Sequence, residues 1–293
     1  MRNDYKNPIN FFCVGAQKAG TTTLHDILTQ HPDIYLPKTK EAHYFDDDER
    51  YNKGIEWYIN TFYSDYKGEK ICGSITPEYF YFDEVPERLF KEYGGNLKLV
   101  FIFRNPIDRA FSHYLMNKSR LIENESFEKA IELEIERINQ GEHENFNYSY
   151  LSRGFYALQL KRYLKYFSIK NMHFINFEED LVKNREHTIL RLLQFLELPK
   201  IKLNTEISSN KARSVRFKYL QNLLYNRSLL KRLFQNLSKT KKERIKKILE
   251  KIIFFQGNDE KVDSKTRNSL KDLFAGDIKE LEALTGQDFS TWK

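Results

Sequence analysis

A short apolar run near the start of the chain leads into a loop bounded by two glycines and then into a helical pattern. The run covers residues 10–14, the loop lies between Gly15 and Gly20, and apolar residues recur on one face of 22–30. A buried strand, a glycine loop and a helix in this order bring backbone N–H groups and the positive end of a helix dipole to one point. The pattern therefore predicts an anion-binding loop at the carboxyl end of a strand.

The position of the lysine in this loop indicates which anion it binds. In the Walker pattern GxxxxGK[ST], the lysine directly follows the second glycine and reaches the β- and γ-phosphates of a triphosphate. Here Thr21 occupies that position, and the lysine lies inside the loop as Lys18. The sequence therefore predicts a nucleotide with a shorter, differently substituted 5′ anion.

Strand patterns alternate with helical patterns along most of the chain. The run 97–103 is almost continuously apolar, which is typical of a parallel strand covered on both faces. Helical patterns separate it from four further strand patterns, at 10–14, 34–36, 70–74 and 172–177. The alternation predicts an α/β fold with a central parallel sheet flanked by helices, in one domain spanning 1–293 with a helical C-terminal section.

Three polar segments directly follow predicted strands, so one edge of the sheet would bring them together. They are Gly15–Thr23, Ser74–Tyr79 and Arg104–Ser112. In the third segment an arginine ends the strand and a serine follows eight residues later. A fourth polar stretch, Lys40–Asp46, places Glu41 and His43 two residues apart.

Together these segments resemble the sulfotransferases that use 3′-phosphoadenosine-5′-phosphosulfate (PAPS). The group they resemble most contains heparan-sulfate-type carbohydrate sulfotransferase domains and their bacterial relatives. The glycine loop is similar to that family's 5′-phosphosulfate loop, Arg104–Ser112 to its 3′-phosphate motif, and Lys40–Asp46 to its Glu-x-His-Phe-Phe stretch. Leu281–Trp292 is similar to the family's closing segment.

The resemblance implies a binding role for each matched residue. Seven loop residues would bind the 5′-phosphosulfate: Gly15, Gln17, Lys18, Ala19, Gly20, Thr21 and Thr22. Arg104 and Ser112 would bind the 3′-phosphate, since a planar guanidinium fork and a hydroxyl are good phosphate donors. Tyr156 would contact adenine or, equally, pack in the core, and Arg213 would lie over the 3′-phosphate.

The resemblance also implies three catalytic residues. Glu41 would accept the proton of the acceptor hydroxyl as the base, and Lys18 would stabilise charge on the leaving phosphate. His43 is either an alternative base or a residue that orients Glu41 or the acceptor. This scheme requires no metal ion, and we expect none.

One segment departs from the family pattern. Many relatives have a Glu-Lys-Ser/Thr-Pro run after the strand that leads into this cleft, with the lysine near the transferred group. Here the corresponding run is Ser74-Ile75-Thr76-Pro77, so Ile75 replaces that lysine. Either Lys18 alone supplies the positive charge, or Lys38 or Lys40 contributes it.

Composition excludes several classes of protein. No run of about 18 apolar residues occurs, which predicts no transmembrane helix. The first ten residues lack the layout of a signal peptide. The two cysteines, Cys13 and Cys72, lie in predicted strands and are too few for a disulfide framework or a zinc site. We therefore expect both thiols to be buried and reduced, in a cytoplasmic protein.

Basic residues concentrate in the C-terminal third of the chain. Residues 210–251 contain fourteen lysines and arginines against two glutamates, and the whole chain has a net charge of +7. A basic helical section over 210–260 would present either a solvated face or a surface for an anionic partner. Apolar residues at helical spacing within 240–255 predict packing on the core, with peripheral contact at the inner face of a membrane as the alternative.

The resemblance implies transfer of the sulfuryl group of PAPS to a hydroxyl of a carbohydrate, in a glycan or glycolipid, with adenosine 3′,5′-bisphosphate (PAP) as product. An atypical P-loop kinase is a first alternative. It is disfavoured because Thr21 replaces the Walker lysine and the strand 97–103 leads to Arg104, not to an acid. A non-catalytic polyanion- or nucleic-acid-binding protein is the second. The sequence lacks the signals of nucleic-acid-binding folds, so we expect no nucleic-acid partner.

Overall fold

The computed structural model describes residues 7–207 and 261–293 and the backbone of 213–215 and 254–256. Five parallel strands form the main sheet, in the order β2-β3-β1-β4-β5. These strands are β1 (Phe11–Gly15), β2 (Ile34–Tyr35), β3 (Ile71–Ile75), β4 (Lys98–Phe103) and β5 (Met172–Asn176). The predicted α/β fold with a central parallel sheet is therefore confirmed.

The central strands are buried on both faces, which explains why they are apolar almost throughout. Every residue of β1 and β3 is buried, and in β4 only Lys98 is partly exposed. Strand β1 lies in the middle, with Phe12 paired to Ser74 of β3 and to Leu99 of β4. Because all the strands are parallel, the carboxyl ends of β3, β1 and β4 lie side by side at one edge of the sheet.

Helices connect the strands. They are α1 (Thr21–Leu28), α2 (Asp48–Tyr51), α3 (Ile55–Phe62), α4 (Val85–Tyr93), α5 (Pro106–Ser119), α6 (Phe127–Glu132), α7 (Glu134–Ile138), α8 (Glu142–Tyr148), α9 (Tyr156–Leu164), α10 (Arg185–Phe195) and α11 (Ser264–Thr285). A π-helical segment, Phe177–Lys183, joins β5 to α10. Within the described ranges, no helix has both the length and the apolar character needed to cross a membrane.

The chain divides into two compact units. The first comprises residues 1–110, 150–210 and 267–293, and it contains the whole parallel sheet. The second comprises residues 111–149 and 211–266 and contains helices α6 to α8. The expectation of one domain spanning the chain stays a prediction.

A helical C-terminal section is present in α11, but one helical prediction differs from the structure. In the basic section 210–260, the described residues form two antiparallel strands, β6 (Arg213–Val215) and β7 (Phe254–Gln256), where helix was expected. Adjacent aromatic residues such as those that begin β7 favour strand over helix. The rest of that section, including most of 240–255 on which the membrane prediction rests, lies outside the described residues.

The two cysteines are free and buried, as predicted. Burial raises the pKa of Cys13 to about 12, and burial also raises the pKa of Cys72. Both thiols are therefore protonated at neutral pH and unreactive as nucleophiles.

The segment after α11 packs against the carboxyl end of the sheet. Trp292 is buried, its ring stacks on Phe289 at 4.2 Å between centroids, and its indole N–H donates to Glu178 Oε2 at 3.1 Å. The other oxygen of Glu178 accepts a hydrogen bond from the Asn105 N–H at 3.1 Å, immediately after β4. This closing segment therefore stabilises the strand end that carries Arg104.

We expect Trp292→Ala to lower the free energy of unfolding by about 3–5 kcal/mol, because it removes a buried indole and leaves a cavity. Trp292→Phe is the matched control. It keeps an aromatic ring and loses the hydrogen bond to Glu178, so we expect a smaller loss of about 1–3 kcal/mol. Urea unfolding followed by circular dichroism measures both losses. An alanine variant as stable as the wild type would show that the closing segment contributes nothing to the packing.

Candidate active site

The glycine loop is shaped by close contacts at both of its ends. A Cβ atom on Gly15 would lie 2.5 Å from Cβ of Phe80, so no larger residue fits there. Gly20 has a left-handed φ of 88°, and it precedes α1 without a side chain that could cap the helix. The N–H groups of the first turn of α1 are therefore not capped by the residue before them, which suits them to bind an anion.

The strand-end arginine contacts this loop directly. Nη1 of Arg104 donates a hydrogen bond to the Lys18 carbonyl at 2.8 Å, and its guanidinium lies over the Phe177 ring, 5.0 Å from the centroid. Its Nε atom is buried without a hydrogen-bond partner. The structure thus brings the two predicted anion motifs together and leaves a buried guanidinium donor beside them.

Tyr156 has a core position in the structure. Its ring is fully buried against Phe80, Phe103 and Trp292, and its hydroxyl donates to the Arg104 carbonyl at 2.8 Å. Because no part of the ring is exposed, the structure favours the core role over contact with adenine. Tyr156 acts on the site through the backbone of Arg104.

The other two predicted phosphate ligands lie in the second compact unit. Ser112 is half-buried on α5, which begins at Pro106. Arg213 lies on β6, and its side chain is outside the described residues. Contact of Ser112 or Arg213 with the 3′-phosphate stays a prediction.

The segment that carries Glu41 and His43, residues 40–46, is the base segment; it has no regular secondary structure but is held by side chains from outside it. The Tyr79 hydroxyl accepts hydrogen bonds from the N–H groups of Tyr44 at 3.0 Å and Phe45 at 3.3 Å. Nη1 of Arg88 donates to the Phe45 carbonyl at 2.9 Å. Tyr79 follows β3, so the carboxyl edge of the sheet fixes this segment in place.

The three predicted catalytic residues share an unusual backbone conformation. Lys18, Glu41 and His43 have φ values of 69°, 63° and 46°. In the described part of the chain only two other residues besides glycine have positive φ, Leu121 and Glu197. Residues with a side chain rarely adopt this region, and such strain clusters at functional sites. The backbone therefore supports a functional role for all three.

Glu41 and His43, the two candidate bases, each have a charged partner. The Lys40 ammonium forms an ion pair with Glu41. Nδ1 of His43 lies 2.8 Å from Oδ2 of the buried Asp46. Burial by itself lowers the pKa of His43, but the hydrogen bond and charge of Asp46, with the charges of Glu78 and Glu41, outweigh it and raise the pKa. Each candidate base therefore has a charged partner that fixes its side chain.

The lysine alternatives Lys38 and Lys40 have different partners in the structure. Lys38 is 90% exposed in its side chain and pairs with Asp65 at 2.8 Å, so it does not contact Glu41. Lys40 does contact Glu41. Ile75, at the position of the family lysine, is buried in β3. Which lysine stabilises the leaving group stays a prediction.

One site residue was missed by sequence reasoning. Glu78 is buried, its Oε1 accepts a hydrogen bond from Gln17 Nε2 at 3.0 Å, and it is close to the base segment. One potential ligand atom from each of Glu41, His43 and Glu78 lies within 4.8 Å of the other two, close enough to hold a cation. Burial and then the charge of Glu41 raise the pKa of Glu78. The available sequence signal for Glu78 was its place in the polar segment that directly follows β3.

Comparison with known proteins gives relatives of this chain. Residues 8–251 match the sulfotransferase domain family. Heparan sulfate glucosamine 3-O-sulfotransferase 5 from Homo sapiens is 35% identical over 189 residues, which are 64% of this chain and 52% of that protein. This chain therefore spans about half the length of the curated relative.

Solved structures show the same fold. A sulfotransferase from Alicyclobacillus acidocaldarius aligns over 97% of this chain and 98% of its own, with a TM-score of 0.70 and 27% identity. Mouse sulfotransferase SULT7A1 complexed with PAP aligns over 94% of this chain and 86% of its own, with a TM-score of 0.52 and 17% identity. The family match covers the loop, the base segment and the strand-end arginine. This chain therefore belongs to the sulfotransferase domain family.

Proposed function

We propose that this protein transfers the sulfuryl group of PAPS to a hydroxyl group of a carbohydrate. The proposal is supported by the family and by the names of the relatives, which include heparan sulfate glucosamine 3-O-sulfotransferases and a sulfotransferase solved with PAP. In this reaction the acceptor O–H bond breaks and an S–O bond forms to the acceptor oxygen. The bond between sulfur and the 5′-phosphate oxygen breaks, and PAP leaves.

The observation that carries the donor half of the proposal is the contact between the two anion motifs. Arg104 donates to the Lys18 carbonyl, so a guanidinium and a lysine of the loop belong to one cluster. A nucleotide with anions at both its 5′ and 3′ positions needs cationic donors at two points. Nε of Arg104 is buried without a hydrogen-bond partner, which is unfavourable. An anion that accepts a hydrogen bond from Nε would satisfy this donor.

The acceptor half of the proposal rests on the division of labour between Glu41 and His43. Glu41 accepts the proton of the acceptor hydroxyl, and its ion pair with Lys40 holds the carboxylate in place. Asp46 binds Nδ1 of His43 and fixes its ring, and this contact raises the pKa of His43 against the opposing effect of burial. We therefore assign the base role to Glu41 and an orienting role to His43.

A ligand-binding measurement tests the donor. We expect PAP to raise the melting temperature much more than ATP with Mg²⁺ does, because a ligand stabilises the folded state in proportion to its affinity. Arg104→Ala should weaken PAP binding about 10- to 100-fold, since it removes a charge-assisted donor. Arg104→Lys keeps the charge without the planar fork and should restore only part of that affinity. A larger shift with ATP and Mg²⁺ than with PAP would favour a kinase.

A kinetic measurement tests the base. Glu41→Gln should lower kcat for sulfate transfer by at least about 100-fold, because the amide cannot accept the proton. The PAP-induced shift in melting temperature should be retained, since Glu41 is not a nucleotide ligand in this scheme. Glu49→Gln, which changes an exposed glutamate on α2, is the matched control and should behave as wild type. Normal turnover in Glu41→Gln would transfer the base role to His43.

A further inference from the structure

Glu78 is a buried carboxyl group at the base site for which the proposed reaction has no use. Only 3% of the residue is exposed. Its Oε1 accepts a hydrogen bond from Gln17 of the glycine loop, whereas its Oε2 is buried without any hydrogen-bond partner. An ionised carboxylate oxygen is costly to bury without a donor. A protonated Oε2 would instead become a donor itself.

The neighbours of Glu78 also favour a proton on this group. Side-chain atoms of Glu41, His43 and Glu78 lie within 4.8 Å of one another. Two carboxylates at this separation repel each other when both are ionised, so such a pair tends to hold one proton between them. Burial, the Glu41 charge and the Asp46 charge raise the pKa of Glu78, while His43 and Arg153 act in the opposite direction.

We propose that Glu78 is a positioning residue that shares one proton with Glu41 and connects the base to the phosphosulfate loop. The inference rests on the proposed function, because it assigns a role within the same site. Glu78 keeps the proton on Oε2 and, after a small rotation of either side chain, donates it to the Glu41 carboxylate. Its Oε1 accepts from Gln17 at the same time. Glu41 is thereby held ionised and oriented for the acceptor hydroxyl.

A divalent cation between the three groups is the competing explanation. Lys40 already pairs with Glu41, and a cation at this carboxylate would compete with that ammonium. Asp46 holds Nδ1 of His43, which leaves Nε2 as its ligand atom. A shared proton satisfies the unpaired oxygen of Glu78 and keeps the Lys40 ion pair, and we therefore favour the proton.

The proposal has a direct consequence for the pH dependence of sulfate transfer. Above the pKa of Glu78, the group loses its proton and a second negative charge appears beside Glu41. The protonated fraction then falls about tenfold for each further pH unit, and transfer falls with it. Glu78→Gln cannot ionise, so it should lack this alkaline decline.

Infrared spectroscopy of the full chain tests the protonation state without any need for activity. We expect a carboxylic-acid C=O band at neutral pH in the wild type that Glu78→Gln abolishes and Glu41→Gln retains. In Glu41→Gln the band should disappear at lower pH than in the wild type, because removing the negative charge of Glu41 lowers the pKa of Glu78. No acid band in the wild type, or a band unchanged by Glu78→Gln, would overturn the proposal.

The pH profile of sulfate transfer provides the second readout. Glu78→Gln keeps a carbonyl that accepts from Gln17, whereas Gln17→Ala removes that hydrogen bond and keeps the carboxyl group. We expect the alkaline decline in the wild type and in Gln17→Ala, and its loss in Glu78→Gln. An alkaline decline in Glu78→Gln equal to that of the wild type would contradict the shared proton and leave a structural tie to Gln17.

Calorimetric titration with Zn²⁺ tests the metal alternative. Tight binding that Glu78→Gln abolishes, together with no acid band, would replace the proton by a cation.

The outcomes also separate this inference from the proposed function. An acid band that behaves as expected in a protein that never transfers sulfate from PAPS would refute the function alone. Transfer without the band would refute the role of Glu78 alone.

Discussion

The hydrogen bond from Arg104 to the Lys18 carbonyl is the contact on which the candidate site depends. It joins the end of β4 to the loop after β1, two neighbouring strands whose carboxyl ends lie at the same edge of the sheet. Behind it, the Tyr156 hydroxyl binds the Arg104 carbonyl, and Glu178 binds the backbone of Asn105. The donors that would contact a nucleotide are therefore positioned by buried groups, and their geometry does not have to be created when a ligand arrives.

The base segment shows how a rigid core can hold a strained and irregular stretch of chain. Glu41 and His43 both have left-handed backbones, which cost free energy. Tyr79 and Arg88 supply contacts from outside the segment. Strain of this kind persists only where the surroundings fix it. The candidate base is thus held by the same sheet edge that holds the glycine loop.

Sequence reasoning succeeded where a local pattern determined the structure. The strand before Gly15 and the strand that ends just before Arg104 were both predicted from short apolar runs. The roles of Glu41 and His43, taken from a short motif, stay predictions. Glu78 was not predicted, because its importance comes from a chain segment more than thirty residues earlier that folds back beside it. Tyr156 was left open for a related reason. An aromatic residue in an amphipathic pattern can face the core or a ligand, and only packing decides between them.

The buried Trp292 implies an order of events during synthesis of the protein. Its indole holds Glu178, which in turn holds the backbone just after Arg104. The loop, the base segment and Arg104 all precede this support in the chain, because Trp292 is translated well over a hundred residues after Arg104. During translation the nascent chain can therefore form the sheet before the contacts from Trp292 through Glu178 to Asn105 are complete. Full support of the strand end that carries Arg104 would then come only after the indole docks.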